Sequence, residues 1–258
     1  MNFSSINFFS ENQEELISDF FLVCDKLNNF SVITLNLDFW VRAKKSHSFM
    51  QVIHKFNYRV CDGTPMYWLG LWRHFIYGSS TIFKITGSDL LPYIINSPRV
   101  SEIFSKDTPL RVCFVGGQPG AADKAALNFM SMSSGNIDIK VFCPDYGFEN
   151  DIKKNKEVIN FINKCKPNFL FIGLGSPKQE YWLKKYEHQM SFGVALCVGA
   201  AFDFYSGYKT RAPVIVQKLG FEWLWRMLSE PRRLVKRYLV DLIFGLPLIF
   251  KAMVLKNG

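Results

Sequence analysis

LRVCFVGGQPGAADKAALNFM, residues 110–130, decides the fold. LRVCFV is a short apolar run with one charge, as suits a strand buried on both faces. GGQPG then turns the chain, and the small and apolar residues after it recur at helical spacing. The alternation continues downstream. IDIKVF (137–142), NFLFIG (168–173) and GVALCV (193–198) read as strands, and DIKKNKEVINFINKC (151–165) and PKQEYWLKKYEHQM (177–190) as the helices between them. Strands separated by helices imply right-handed crossovers, and so an α/β fold with a Rossmann-like, mostly parallel sheet and flanking helices.

Upstream, SVITLN (31–36) and YRVCD (58–62) are further strands, and DLLPYIIN (89–96) is a helix capped by Ser88 or Asp89. The rest of that half is less regular, but no linker-like composition divides it from the strands and helices beyond Leu110, so residues 1–230 are expected to form one α/β domain. Past Thr210 the chain turns helical, through RAPVIVQKLG and FEWLWRMLSE into a basic, apolar appendage over residues 231–258. Within it LVDLIFGLPLIF (239–250) is broken by Asp241, Gly245 and Pro247, and is shorter than the roughly 20 residues that span a bilayer. It is expected to lie on a membrane and not to cross it.

A content of 48% hydrophobic residues over 258, with 25 Phe, supports a substantial core and excludes a disordered chain. The net charge of +9 calls for an anionic partner, and seven Lys/Arg against Glu230 and Asp241 between residues 226 and 258 concentrate it at the apolar end. Basic residues clustered there, and not interleaved with aromatics across a sheet face, argue for an anionic membrane surface and against nucleic acid. The six scattered cysteines read as reduced core residues, and the opening MNFSSINFFSENQEEL has no signal-peptide pattern, so a cytoplasmic setting is expected.

Ligands of an open parallel sheet bind beyond the carboxyl ends of its strands. Those ends supply Gly116-Gly117-Gln118-Pro119-Gly120, Pro144-Asp145-Tyr146-Gly147, the turn Gly173-Leu174-Gly175-Ser176-Pro177-Lys178, and Gly199-Ala200-Ala201-Phe202-Asp203. Any one of these is most simply a tight strand-to-helix turn; four on one edge favour a nucleotide, whose phosphates suit helix N-termini. GLGSPK lacks the third glycine of a dinucleotide fingerprint and no P-loop pattern occurs, which disfavours an NAD enzyme or an ATPase. Asp62 is either a turn residue or a general base; Thr34 and Asn36 either bond sugar hydroxyls or merely end a strand. Asp89 reads better as a helix cap than as a catalyst, and Asp203 contacts a base or ribose or caps a turn. The four histidines form no i, i+4 pair, and neither CxxC nor Asp-x-Asp occurs. No metal site is therefore expected, and phosphate charge falls to Lys, Arg and helix N-termini.

Taken together, TLN (34–36), CDG (61–63), GSDL (87–90), GGQPG (116–120), GLGSPKQE (173–180), VGAAFDFYSG (198–207), RAP (211–213) and EWLWRMLSEPRR (222–233) resemble the WecG/TagA/CpsF glycosyltransferases, glycosyltransferase family 26. The resemblance implies an inverting transferase, for which no cofactor is expected. Its donor would be a UDP-sugar, N-acetylmannosamine or its uronic acid, and its acceptor a polyprenyl-diphosphate-linked amino sugar. It implies work on cell-surface polysaccharide, peripherally on the inner face of the cell membrane. By motif, Asp62 is the base, Thr34 and Asn36 line the sugar site, and Gln179 is a second polar group near the reacting centre. Asp203 and the turns at Gly116, Gly117, Tyr146, Gly173, Gly175 and Lys178 are donor contacts, and Arg226, Arg233 and Arg237 face phosphate. A non-catalytic membrane scaffold is the competing reading, but it would not need polar groups gathered at strand ends.

Overall fold

The computed structural model describes residues 3–133 and 135–256; residues 257 and 258 of the expected appendage, and residues 1, 2 and 134 of the expected domain, lie outside the described residues. The first half runs α1 (Gln13–Val23), β1 (Phe30–Leu35), α2 (Leu37–Lys45), α3 (His47–His54), β2 (Tyr58–Cys61), α4 (Thr64–Tyr77), α5 (Gly87–Ile95) and α6 (Pro98–Ile103). The second continues β3 (Leu110–Gly116), α7 (Ala121–Met132), β4 (Ile137–Phe142), α8 (Ile152–Cys165), β5 (Phe169–Gly173), α9 (Lys178–Tyr186) and β6 (Val194–Cys197). It ends with α10 (Ala201–Tyr205), α11 (Val214–Lys218), α12 (Glu222–Ser229) and α13 (Pro231–Val254).

Every segment read as a strand is one, and they pair in parallel in the order β2-β1-β6-β5-β3-β4. Alternation along each strand divides the core. Ile33, Leu35, Cys113, Val115, Leu170 and Ile172 face α2, α3, α8 and α9, whereas Val32, Val112, Phe114, Phe169 and Phe171 face α1, α5, α7 and α10. Both faces are covered, which is why β3, β5 and β6 read as nearly continuous apolar runs.

Side-chain caps set several helix starts in the half that read as irregular. Asn12 and Glu15 form a reciprocal capping box on α1, and Ser46 ends α2 while its hydroxyl caps α3. The expected cap of α5 is corrected: the helix begins at Gly87 and Thr86 caps it, its hydroxyl accepting from the Asp89 N–H at 3.2 Å and donating to the Asp89 carboxylate at 2.7 Å.

The appendage is one helix of 24 residues, α13, uninterrupted by Asp241, Gly245 or Pro247. Gly245 faces inward: a Cβ there would come within 2.9 Å of Leu37, so the residue that looked like a breaker lets α13 lie close on α2. The far end of α13 is held by α4. Buried Arg73 donates to the carbonyls of Ala252, Leu255 and Lys256, the Tyr77 hydroxyl donates to those of Met253 and Val254, and the Trp72 indole N–H to that of Met253. These are the carbonyls that a helix C-terminus leaves unpaired. Arg73→Ala is expected to lower stability by about 3 kcal/mol, because it orphans several carbonyls of a buried helix end; urea unfolding of the full chain measures it.

Candidate active site

Strand order reverses across the sheet, since the chain passes from β1 outward to β2 at one edge and from β3 outward to β4 at the other. A pocket of about 380 Å³ opens above the carboxyl ends of β1, β2 and β6 and the turn after β5, and α12 and α13 close it from the far side.

Asp62 sits on its floor. Its N–H donates to the Leu35 carbonyl at 2.8 Å, which fixes it against the end of β1. Gly63 then takes φ +83°, a left-handed conformation that favours glycine, and turns the chain into α4. Burial pushes the Asp62 carboxyl up to about 6; the charges of Glu222 and Asp89 push the same way, while Arg226 and the Gly63 N–H oppose them. Thr34 and Asn36 line the pocket beside it. The Asn36 amide oxygen caps α2 by accepting from the Phe39 N–H at 3.3 Å, so its NH₂ group is what it offers a ligand.

Gly175 and Gln179 form the wall at the start of α9. The buried Gln179 amide is held at both ends, its oxygen accepting from the Gly175 N–H at 3.2 Å and its NH₂ donating to Glu180 at 2.7 Å. Glu180 is fully buried, and desolvation raises its carboxyl to about 7.

Arg226 of α12 and Arg233 and Arg237 of α13 line the same pocket, and the Arg226 charge acts on the Asp62 carboxyl. The Nε groups of Arg226 and Arg237 are buried without a partner, a costly state unless something fills the pocket. Two ion-pair hubs hold these helices in place. Arg211 bonds Asp89 at 2.6 Å and lies 3.6 Å from Glu222, pinning α12 to α5; Lys209 bridges Asp203 at 2.8 Å and Glu230 at 3.2 Å, pinning the start of α13 to α10.

Eight of the residues singled out in sequence thus meet in one pocket: Thr34, Asn36, Asp62, Gly175, Gln179, Arg226, Arg233 and Arg237. The other expected contacts, Gly116, Gly117, Tyr146, Gly173, Lys178 and Asp203, lie outside its lining. Gly116 and Gly173 are register partners at the ends of β3 and β5, and the Gly117 N–H donates to the Gly173 carbonyl at 2.9 Å. A Cβ on Gly173 would lie 2.7 Å from the Phe202 ring, so this turn is small because α10 packs on it. Asp203 is buried in its pair with Lys209. Tyr146 is exposed beyond β4, with the Lys178 ammonium 4.5 Å from its ring centroid and 2.8 Å from Glu149.

Sequence reading missed Lys84, Glu222, Tyr238 and Asp241, all of which line the pocket. Lys84 is bridged in parallel to Cys61, next to Asp62 in the chain. Asp241 is buried on α13 with one oxygen unpaired, and burial and the Asp38 charge raise its carboxyl to about 6 against the pull of Arg237, Arg42 and Lys45. Among the described residues no group of three or more His, Cys, Asp or Glu is arranged to hold a metal ion.

A family profile described as "Glycosyl transferase WecG/TagA/CpsF family" matches residues 1–257. Proteins named N-acetylglucosaminyldiphosphoundecaprenol N-acetyl-beta-D-mannosaminyltransferase, from Staphylococcus aureus strains MRSA252, MW2 and NCTC 8325, are each 26% identical to the chain over 214 residues. The match covers 83% of this chain and 78% of each relative, and so most of both proteins.

Proposed function

This chain belongs to the WecG/TagA/CpsF family of glycosyl transferases, and we propose that it transfers N-acetylmannosamine, or its uronic acid, from a UDP-sugar to N-acetylglucosamine on a polyprenyl diphosphate. One observation carries the reading: a desolvated carboxylate, Asp62, shares one pocket with Arg226 and Arg237, whose Nε groups are buried without a partner. A base and a diphosphate cradle are what such a transfer needs.

The reaction is a single displacement. Asp62 takes the proton from an acceptor hydroxyl as its oxygen attacks the anomeric carbon; the bond to the diphosphate breaks on the opposite face and UDP leaves with the electron pair. Inversion results. Arg226, Arg233, Arg237 and Lys84 offset the charge that builds on the leaving oxygen, while Thr34 and Asn36 hold sugar hydroxyls. Gln179, locked by Gly175 and Glu180, presents a fixed polar edge. The turn at Gly199 and Ala200 leads from the pocket into α10, and we assign the nucleoside to that direction, towards Asp203 and the turns at Gly116, Gly117 and Gly173, with Lys178 and Tyr146 at the outer rim.

The decisive experiment incubates the protein with a panel of UDP-sugars and a lipid-diphosphate N-acetylglucosamine, and weighs the products. An acceptor heavier by one N-acetylhexosamine, or by its uronic acid, is expected; UDP-sugar left intact across the panel would overturn the proposal.

The charges around Asp62 set the pH dependence. A base must be ionised, so kcat/KM is expected to fall about tenfold per pH unit below a limb near pH 6, the value to which Asp62 is raised. Glu222→Gln removes a repelling charge, lowers the Asp62 value and moves that limb to lower pH. Turnover is also expected to persist in excess EDTA, because lining cations and not a held metal are assigned to the phosphates. Loss of activity restored by Mg²⁺ or Mn²⁺ would contradict that assignment.

A further inference from the structure

The membrane contact expected from the sequence is confined to the last residues of the chain, but α4 carries its own exposed apolar ridge. Trp68, Trp72, Phe75 and Ile76 fall on one side of this helix at spacings of four, three and one, and are 59%, 44%, 81% and 54% exposed. Its opposite side buries Met66, Leu69, Gly70 and Arg73. A soluble surface does not ordinarily leave two indoles and a phenyl ring in one row.

We propose that this ridge of α4 and the outer face of α13 together form a rigid platform that binds an anionic lipid surface. The proposal rests on the lipid-linked acceptor of the proposed function. Three observations select lipid as the occupant.

The first is where both helices begin and end. Thr64 and Pro65 in the first turn of α4 line the pocket, as do Leu242, Leu246 and Ile249 of α13. α4 therefore starts at the site while α13 runs along it, and the two helices meet where Arg73, Tyr77 and Trp72 bond the carbonyls of residues 252–256. Leu242, Leu246 and Ile249 thus put apolar side chains of α13 at the pocket, on the helix whose far end bonds Trp72.

The second is composition. Tryptophan, with an apolar body and one polar N–H, is the residue of membrane interfaces, and exposed Ile243, Phe244 and Phe250 on α13 supply deeper apolar area. The third is charge. Arg232, Lys236 and Lys251 are exposed on the same helix, so the apolar face is flanked by cations that complement acidic headgroups. Among the described residues no helix is long and apolar enough to cross a membrane, so the contact lies in the interfacial plane.

The test uses the full chain and sedimentation with phosphatidylcholine vesicles, with and without phosphatidylglycerol. Trp68→Glu combined with Phe75→Glu is expected to lower partition onto the mixed vesicles by about tenfold or more, since each change withdraws an apolar ring from the interface. Transfer to a short-chain, water-soluble acceptor should stay at the parent rate, because neither residue lines the pocket. In a second measurement that involves no charged substitution, lipids brominated in the acyl chains should quench the parent's tryptophan fluorescence more than that of Trp68→Phe. Unchanged partition together with equal quenching would overturn the platform, and equal partition onto pure phosphatidylcholine would overturn its preference for acidic lipid. A parent dimer that the double variant splits, with vesicle binding untouched, would make the ridge a self-association face and also sink the proposal. Vesicle binding through α4 in a protein that transfers no sugar would leave the platform standing while the functional reading fell.

Discussion

Asp62→Asn is expected to cut turnover by about 10²- to 10⁴-fold while UDP affinity changes little. The substitution keeps the side chain's size and its backbone bond to Leu35, so the floor of the pocket should be unaltered. What it removes is a proton acceptor held near neutrality. Burial makes that carboxylate basic, and the neighbouring charge of Glu222 adds to it, so an amide cannot substitute. Steady-state rates at saturating acceptor and donor, set beside calorimetric titration with UDP, separate the two effects. Near-normal turnover would reduce Asp62 to a turn residue.

Arg226→Ala should cost about 10²- to 10³-fold in kcat, the range for removing one preorganised donor from a developing negative charge. It should also shift the pH profile. Arg226 holds the Asp62 value down, so without it the acid limb moves to higher pH, the opposite of Glu222→Gln. A drop in rate with no movement of the limb would mean that Arg226 serves phosphate alone. An unchanged rate would remove it from the site. Point substitutions are cleaner than cutting at Pro231, because α13 buries Leu234, Asp241, Gly245 and Ala252 and its loss would strip α2 and α4 as well.

The sheet was legible because β3, β5 and β6 are apolar on both faces and lead into glycine turns, whereas the edge strand β4 alternates apolar residues with Asp138 and Lys140. The helices of the first half were not, for local reasons. Asn36 both ends a strand segment and caps the next helix, leaving no gap in the sequence to mark the change. In α4 the buried side carries an arginine and the exposed side carries tryptophans, which inverts the pattern that a helix is recognised by. Asp241 and Gly245 looked like interruptions because their surroundings, the pocket and α2, are far away in the chain.

The site shows the same division. Residues at strand ends could be found by rule, and Thr34, Asn36, Asp62, Gly175 and Gln179 do converge. Lys84, Glu222 and Asp241 carry no strand-end signature and reach the pocket only through packing. The converse also holds for Gly173, which sits at a strand end because the Phe202 ring leaves no room for a side chain.

Strand β1 bonds only β2 and β6, and β6 is the last strand that a ribosome would deliver. Until residues 194–197 exist, β1 and β2 have no central sheet to join, whereas β3, β4 and β5 can already pair with one another. Two-stranded sheets are marginal alone, so the N-terminal segment has to wait through most of synthesis with apolar residues such as Ile33 and Leu35 uncovered. Asp62 therefore becomes part of a site late, when nearly all of the chain is present.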